Sequence, residues 1–169
     1  MRPLTIDLHK SMLPVLGKPL LHYIWESLPS MIDEVILVVG HKRETIQSYL
    51  MDEYLGKKIT YVVQEKKTGT AHALQLCQSH LANHQRFLLL YADDLHHRES
   101  IEKCLAYDRS VLVARVDNPK KFGVVTTDAT GRIMEIEEKP SEPKSNLVAC
   151  GVYVLDQNIF AYEPTQSSS

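Results

Sequence analysis

Apolar positions along the chain alternate between two periods. Val35-Ile36-Leu37-Val38-Val39 is an unbroken aliphatic run closed by Gly40, the pattern of a strand covered on both faces. Between Arg43 and Tyr54 the residues Ile46, Tyr49, Leu50 and Tyr54 recur at helical spacing, which predicts an amphipathic helix. Ile59–Val63 predicts a second strand, and Ala71, Leu74, Cys77 and Leu81 form the apolar stripe of a helix beginning near Thr70. Phe87–Tyr91 predicts a third buried strand, residues 99–107 a short helix, and Val111–Val116 a fourth strand. Repeated strand–helix–strand units imply parallel pairing through right-handed crossovers, hence an α/β sandwich.

After Asn118-Pro119 the rhythm changes. Gly123–Thr127, a turn over Asp128–Gly131 and Ile133–Ile136 predict a β-hairpin with a Gly-containing loop. Ile133 and Ile136 do not alternate cleanly, so the pattern leaves the hairpin register open. Lys139–Lys144 is a Pro-rich loop, and Leu147–Leu155 returns as a strand. The domain is expected over 1–163, and the polar tail 164–169 is expected to be disordered.

Composition narrows the picture by exclusion. A chain of 169 residues is long enough for one domain with a real core, and its 44% hydrophobic and 24% charged content is ordinary for a globular protein. A formal net charge of -2 gives no global electrostatic case for nucleic acid or an anionic membrane as partner. The three cysteines, Cys77, Cys104 and Cys150, have no CxxC spacing and read as reduced thiols. The start carries no apolar h-region and no apolar run is long enough to span a bilayer, so a cytoplasmic location is expected. A homo-oligomer is compatible with all of this.

In open parallel sheets, ligands bind beyond the carboxyl ends of the strands, so the residues there carry the chemistry. The third strand ends in Tyr91-Ala92-Asp93-Asp94. Adjacent carboxylates suit a hard cation such as Mg²⁺, although Asp is equally at home capping the next turn. Gln64 ends the second strand and offers both donor and acceptor to a nucleobase edge. Gly69 permits close backbone approach and Thr70 opens a helix, but an ordinary strand-to-helix loop with a Thr cap needs the same residues. Lys10 lies in a Pro-containing opening segment and matters only if that segment folds over the strand ends, where it would neutralise phosphate. His96 and His97 have no standard metal-ligand spacing and are expected to be exposed turn residues.

The order of these segments is more specific than any one of them. "RPLTIDLHKSMLPVLGKPLL", "QEKKTGTAHAL", "LLLYADD", "FGVV", "EIEEKP" and "ACGVYVLD" resemble, in sequence order, the sugar-1-phosphate nucleotidyltransferase family over nearly all of residues 1–160. The resemblance implies a Rossmann-like mixed, mostly parallel sheet with helices on both faces and a small β-hairpin insertion. It implies a nucleoside triphosphate and a sugar 1-phosphate as partners, Mg²⁺ as cofactor, and in-line attack of the sugar phosphate on the α-phosphate with loss of pyrophosphate. Position by position, it assigns Lys10 to phosphate and transition-state charge, Asp93 to the metal, Gln64, Gly69 and Thr70 to the nucleobase, and Gly123, Glu138 and Lys139 to the sugar phosphate.

Departures accompany the match. Ala92 stands where the family usually has Gly, Ala149 where it usually has Asn, and His9 where it usually has Pro. The family's Gly-rich phosphate loop precedes the region that aligns, since the first glycine here is Gly17, and its second metal ligand lies further along. The resemblance therefore implies a domain that extends beyond this sequence at both ends. Two readings follow: an active nucleotidyltransferase, or a relative that keeps the nucleotide-sugar crevice for binding or regulation without turnover. A dinucleotide-dependent oxidoreductase fits only the α/β rhythm, because no G-x-G-x-x-G follows any strand.

Overall fold

The computed structural model describes residues 9–41, 43–66 and 68–163. The 164–169 tail and residues 1–8, which include the first seven residues of the opening motif, lie outside them. A single 3-10 turn, Lys10–Met12, leads into a two-residue hairpin of β1 (Pro14–Val15) and β2 (Lys18–Pro19). Both hairpin tip residues are left-handed, Leu16 at φ 47 and Gly17 at φ 83. Helix α1 (Leu20–Ser27) follows, with Pro19 at its N-cap. It stops at Leu28, whose extended backbone is what the following Pro29 demands.

Strand β3 (Glu34–Val39) pairs in parallel with β5 (Lys57–Val63) across helix α2 (Arg43–Leu50). The helix is shorter than its periodicity predicts. Met51 turns left-handed at φ 56, and Tyr54 is diverted into β4 (Glu53–Tyr54), which pairs antiparallel with β5. A hydroxyl network accounts for that diversion: Tyr54 Oη lies 2.7 Å from Tyr49 Oη and 2.7 Å from Nδ1 of the buried His22. The next helix runs as predicted from Thr70 but breaks at Cys77 into α3 (Thr70–Leu76) and α4 (Gln78–Leu81). Strand β6 (Arg86–Leu90), helix α5 (Arg98–Leu105) and β7 (Ser110–Arg115) complete the α/β part. The hairpin β8 (Gly123–Thr127) and β9 (Ile133–Glu138) and the ten-residue β10 (Leu147–Asp156) follow.

The α/β class holds, but the expected predominance of parallel pairing does not. Among the described residues only β3–β5 is a parallel pair; the other pairings are antiparallel. The cause is β10. It runs between β6 and β7, antiparallel to both, so the β6–α5–β7 crossover joins two like-directed strands that do not pair with each other. The N-terminal half of β10 also carries β8, through Val148 opposite Val124. The hairpin register left open by the sequence is Ile136 opposite Val125 and Ile133 opposite Thr127, with a shift after Thr126.

Two apolar clusters hold these layers together. Leu21, Ile24 and Trp25 of α1 pack with Met12, Val39, Ile59 and the α2 residues Ile46 and Leu50. Ile101 and Cys104 of α5 pack on Val152 and Val154 of β10. Leu88 and Leu90 of β6 lie against both clusters, so this strand ties the two halves. Val35–Val38 and Phe87–Leu90 are half-buried rather than covered on both faces, because β3 and β6 each end their described ladders with one unpaired edge.

Candidate active site

The opening segment does fold against a strand end. His9 accepts a hydrogen bond at its side chain from the Ser11 backbone, and buried Ser11 and Met12 anchor the turn, leaving Lys10 to project. Lys10 Nζ donates to Asp93 Oδ2 at 2.6 Å, joining residues 83 positions apart. Both side chains remain accessible, 39% and 45% exposed, so the pair lies at a surface open to ligand. Asp93 is thus no helix cap; the residue before α5 is His97, whose side chain caps nothing.

Asp94 addresses different groups. Its charge is felt by His96 and by Cys150. His96 departs from expectation: it is half-buried, its Nε2 has no hydrogen-bond partner, and burial lowers its pKa against the opposing pull of Asp94. His97 is exposed, as expected.

A second group forms where β5 ends. The Gln64 backbone N–H donates to Val39 O at 2.8 Å, extending the parallel ladder by one residue. Its side-chain Nε2 turns inward, 3.1 Å from Gly69 O and 3.1 Å from His72 Nδ1. Gly69 is the N-cap of α3 at φ 97, a conformation that L side chains rarely adopt, and Thr70 is the first helical residue rather than a cap. His72 therefore helps to hold Gln64, a role that no sequence spacing announced. A shallow cleft lined by Gly40, His41, Arg43, Glu44 and Glu65 opens beside this group, beyond the carboxyl ends of β3 and β5.

The third group is brought together by hairpin register. Gly123 is paired with Glu138, and the Lys139 N–H donates to Phe122 O at 3.0 Å. A side chain at Gly123 would meet Glu138 Oε2 at 3.4 Å and Ala149 Cβ at 3.9 Å. Lys139 Nζ lies 3.0 Å from Glu138 Oε1, and its backbone is left-handed at φ 46. Two aromatic residues missed in the sequence bridge this group to the Asp93 segment. Tyr91 and Tyr153 meet in a tilted pair with ring centroids 6.0 Å apart, and burial, Tyr91 and the Glu138 charge all push the Tyr153 hydroxyl pKa upward.

The nucleotidyl transferase family profile matches residues 1–168. The chain belongs to the nucleotidyl transferase family.

Among curated nucleotidyl transferase relatives, the chain is 37% identical over 168 residues to UTP–glucose-1-phosphate uridylyltransferase AglF of Haloferax volcanii, covering 95% of this chain and 68% of that protein. It is 36% identical over 160 residues to the bifunctional protein GlmU of Methanocaldococcus jannaschii, covering 95% of this chain but 38% of GlmU. The chain thus spans well under half the length of the GlmU relatives it matches. A Bacillus anthracis protein described as a glucose-1-phosphate thymidylyltransferase, solved with a sucrose, superimposes with a TM-score of 0.81 at 30% identity, over 96% of this chain and 68% of that one. The α/β, Rossmann-like architecture of this nucleotidyl transferase chain is that of its structural neighbours.

The residues present also suit the divalent metal that such a family implies. Asp93 offers an accessible oxygen ligand, and no cluster of three or more ligating side chains exists among the described residues. An accessible carboxylate oxygen of this kind is a donor that a hard divalent cation accepts. Among the described residues no helix is long and apolar enough to cross a membrane.

Proposed function

We propose that this chain is the catalytic unit of a sugar-1-phosphate nucleotidyltransferase, converting a nucleoside triphosphate and a sugar 1-phosphate into a nucleotide-sugar and pyrophosphate. The observation that carries the reading is the 2.6 Å contact between Lys10 and Asp93, which puts one cation and one metal-type carboxylate at a single accessible point. Little covalent chemistry is asked of the protein in such a transfer; positioning and neutralisation of charge dominate. The attacking oxygen of the sugar phosphate forms a bond to the α-phosphorus as the bond to the pyrophosphate oxygen breaks.

In this reading Lys10 meets the negative charge spread over the phosphoryl oxygens, and Asp93 holds Mg²⁺, which supplies further neutralisation of those oxygens when bound. Gln64, whose Nε2 is committed to Gly69 and His72, presents its carbonyl oxygen as acceptor for a base N–H. Gly69 lets the base lie against bare backbone, and Thr70 opens the helix beneath it. Glu138 accepts from sugar hydroxyls, Gly123 leaves room beside it, and Lys139 meets the sugar's phosphate. The cytoplasm is the proposed setting, a reading supported by three free thiols at Cys77, Cys104 and Cys150.

The test is pyrophosphate release with Mg²⁺, a panel of nucleoside triphosphates and hexose 1-phosphates. Release that disappears in Asp93→Ala is expected. Calorimetric binding of a nucleotide-sugar without any release would instead favour a binding or regulatory relative.

A further inference from the structure

Strand β10 contains an irregularity that sits next to the site. Its register against β7 shifts between Ala149 and Tyr153, and Gly151 lies within the shift at φ +71. The Gly151 carbonyl accepts the Tyr91 N–H at 2.9 Å, one residue beyond the end of β6. The Tyr91 ring lies directly on the Gly151 backbone. A Cβ built at Gly151 would stand 3.0 Å from Tyr91 Cγ and Cδ2 and 3.1 Å from its Cβ. That is tighter than ordinary carbon–carbon contact, so any other residue here must shift the ring or its backbone by a few tenths of an ångström. Tyr91 is also held from the side by Tyr153, and the next residue, Ala92, packs on the first apolar cluster. The residue after Ala92 is Asp93, whose carboxylate meets Lys10.

We propose that Gly151 is a positioning residue for the metal carboxylate: its missing side chain makes a seat for Tyr91, and the seated Tyr91 fixes where Asp93 projects. The inference rests on the reading of Asp93 as the metal ligand. The bulge gives Gly151 its left-handed conformation, the bare backbone accepts the ring, and the Tyr91 N–H bond locks the strand end at that height. Asp93 then leaves the sheet at a fixed angle toward Lys10. Loss of an outer contact that orients a ligand typically lowers metal affinity by about 10- to 100-fold.

The experiment compares Mn²⁺ affinity, by calorimetry or electron paramagnetic resonance, in the unaltered protein, Gly151→Ala, Tyr91→Ala and the double variant. Gly151→Ala is expected to bind Mn²⁺ about tenfold more weakly, the scale for loss of an outer contact to a metal site. Tyr91→Ala alone lies between that variant and the unaltered protein. In the double variant the Cγ and Cδ2 atoms that a Cβ at position 151 would meet are gone, so affinity returns to the Tyr91→Ala level. A role confined to backbone strain at φ +71 would give no such rescue, because that strain persists whatever stands at position 91. Absence of rescue, unchanged affinity in Gly151→Ala, or no Mn²⁺ binding by the unaltered protein overturns the proposal. If Gly151→Ala does not fold, Tyr91→Ala decides: affinity equal to the unaltered protein overturns it, and weaker affinity supports it. Because these measurements need no turnover, a chain that binds Mn²⁺ but releases no pyrophosphate would refute the transferase reading and leave the positioning role standing.

Discussion

Replacing Lys10 by Ala should tighten divalent-metal binding when no nucleotide is present. Lys10 Nζ sits 2.6 Å from Asp93 Oδ2, on the oxygen a metal would need. A cation entering there must displace the ammonium or tolerate its repulsion. Coulomb's law at that 2.6 Å separation gives about 1.6 kcal/mol in bulk water. Partial exposure, salt and the entropy of a long side chain reduce an accessible pair to about 0.2–1 kcal/mol, or about 1.4-fold to fivefold in affinity. Calorimetric titration of Mn²⁺ into both proteins at low ionic strength resolves a change of that size. The gain should shrink as salt rises, since screening weakens the contact being removed. Lys10→Arg, which keeps the competing charge, should show no gain. With nucleoside triphosphate present the sign reverses, because Lys10 is then assigned to phosphate and its loss weakens binding. Weaker or unchanged metal binding by nucleotide-free Lys10→Ala would refute the competition argument.

Two further outcomes concern the scaffold. Leu16 is 94% exposed at φ 47 on the β1–β2 hairpin tip, a left-handed position that Asn tolerates better than Leu. Leu16→Asn should stabilise the chain by about 0.5–1 kcal/mol, read as a higher denaturation midpoint at constant slope. Burial and the neighbouring Tyr49 push the Tyr54 hydroxyl from 10.0 up to about 12. The folded state therefore holds this proton where the unfolded chain has lost it, so stability is full below pH 10 and falls as pH rises toward about 12. Tyr54→Phe should flatten that alkaline decline in thermal melts, and an unaltered decline would contradict the assignment.

How much of the site was legible depended on how local each signal was. Gly69 and Thr70 could be placed at a helix start because a glycine and a helical stripe follow each other within one segment. Asp93 could be placed at a strand end because Phe87–Tyr91 is a continuous apolar run. His72, Tyr91, Gly151 and Tyr153 carried no such signal. Each acts through a partner that is remote in sequence or hidden in a turn, and an aromatic or a glycine within a strand pattern reads as ordinary packing. The helix expected over 43–54 failed for the same reason: its Tyr54 fits the helical period, yet His22, 32 residues away, draws its hydroxyl into β4.

By itself the sequence determined the order and type of nearly every long element, since apolar periodicity is a property of neighbouring residues, and the motif order pointed to the family. Tertiary structure decided which strands pair and which side chains meet. Periodicity states that a strand is covered but never by what, so the placement of β10 between β6 and β7 lay beyond its reach. The contact of Lys10 with Asp93 is likewise set by packing: Ser11 and Met12 are buried, and the turn they anchor delivers the lysine to a carboxylate 83 residues away.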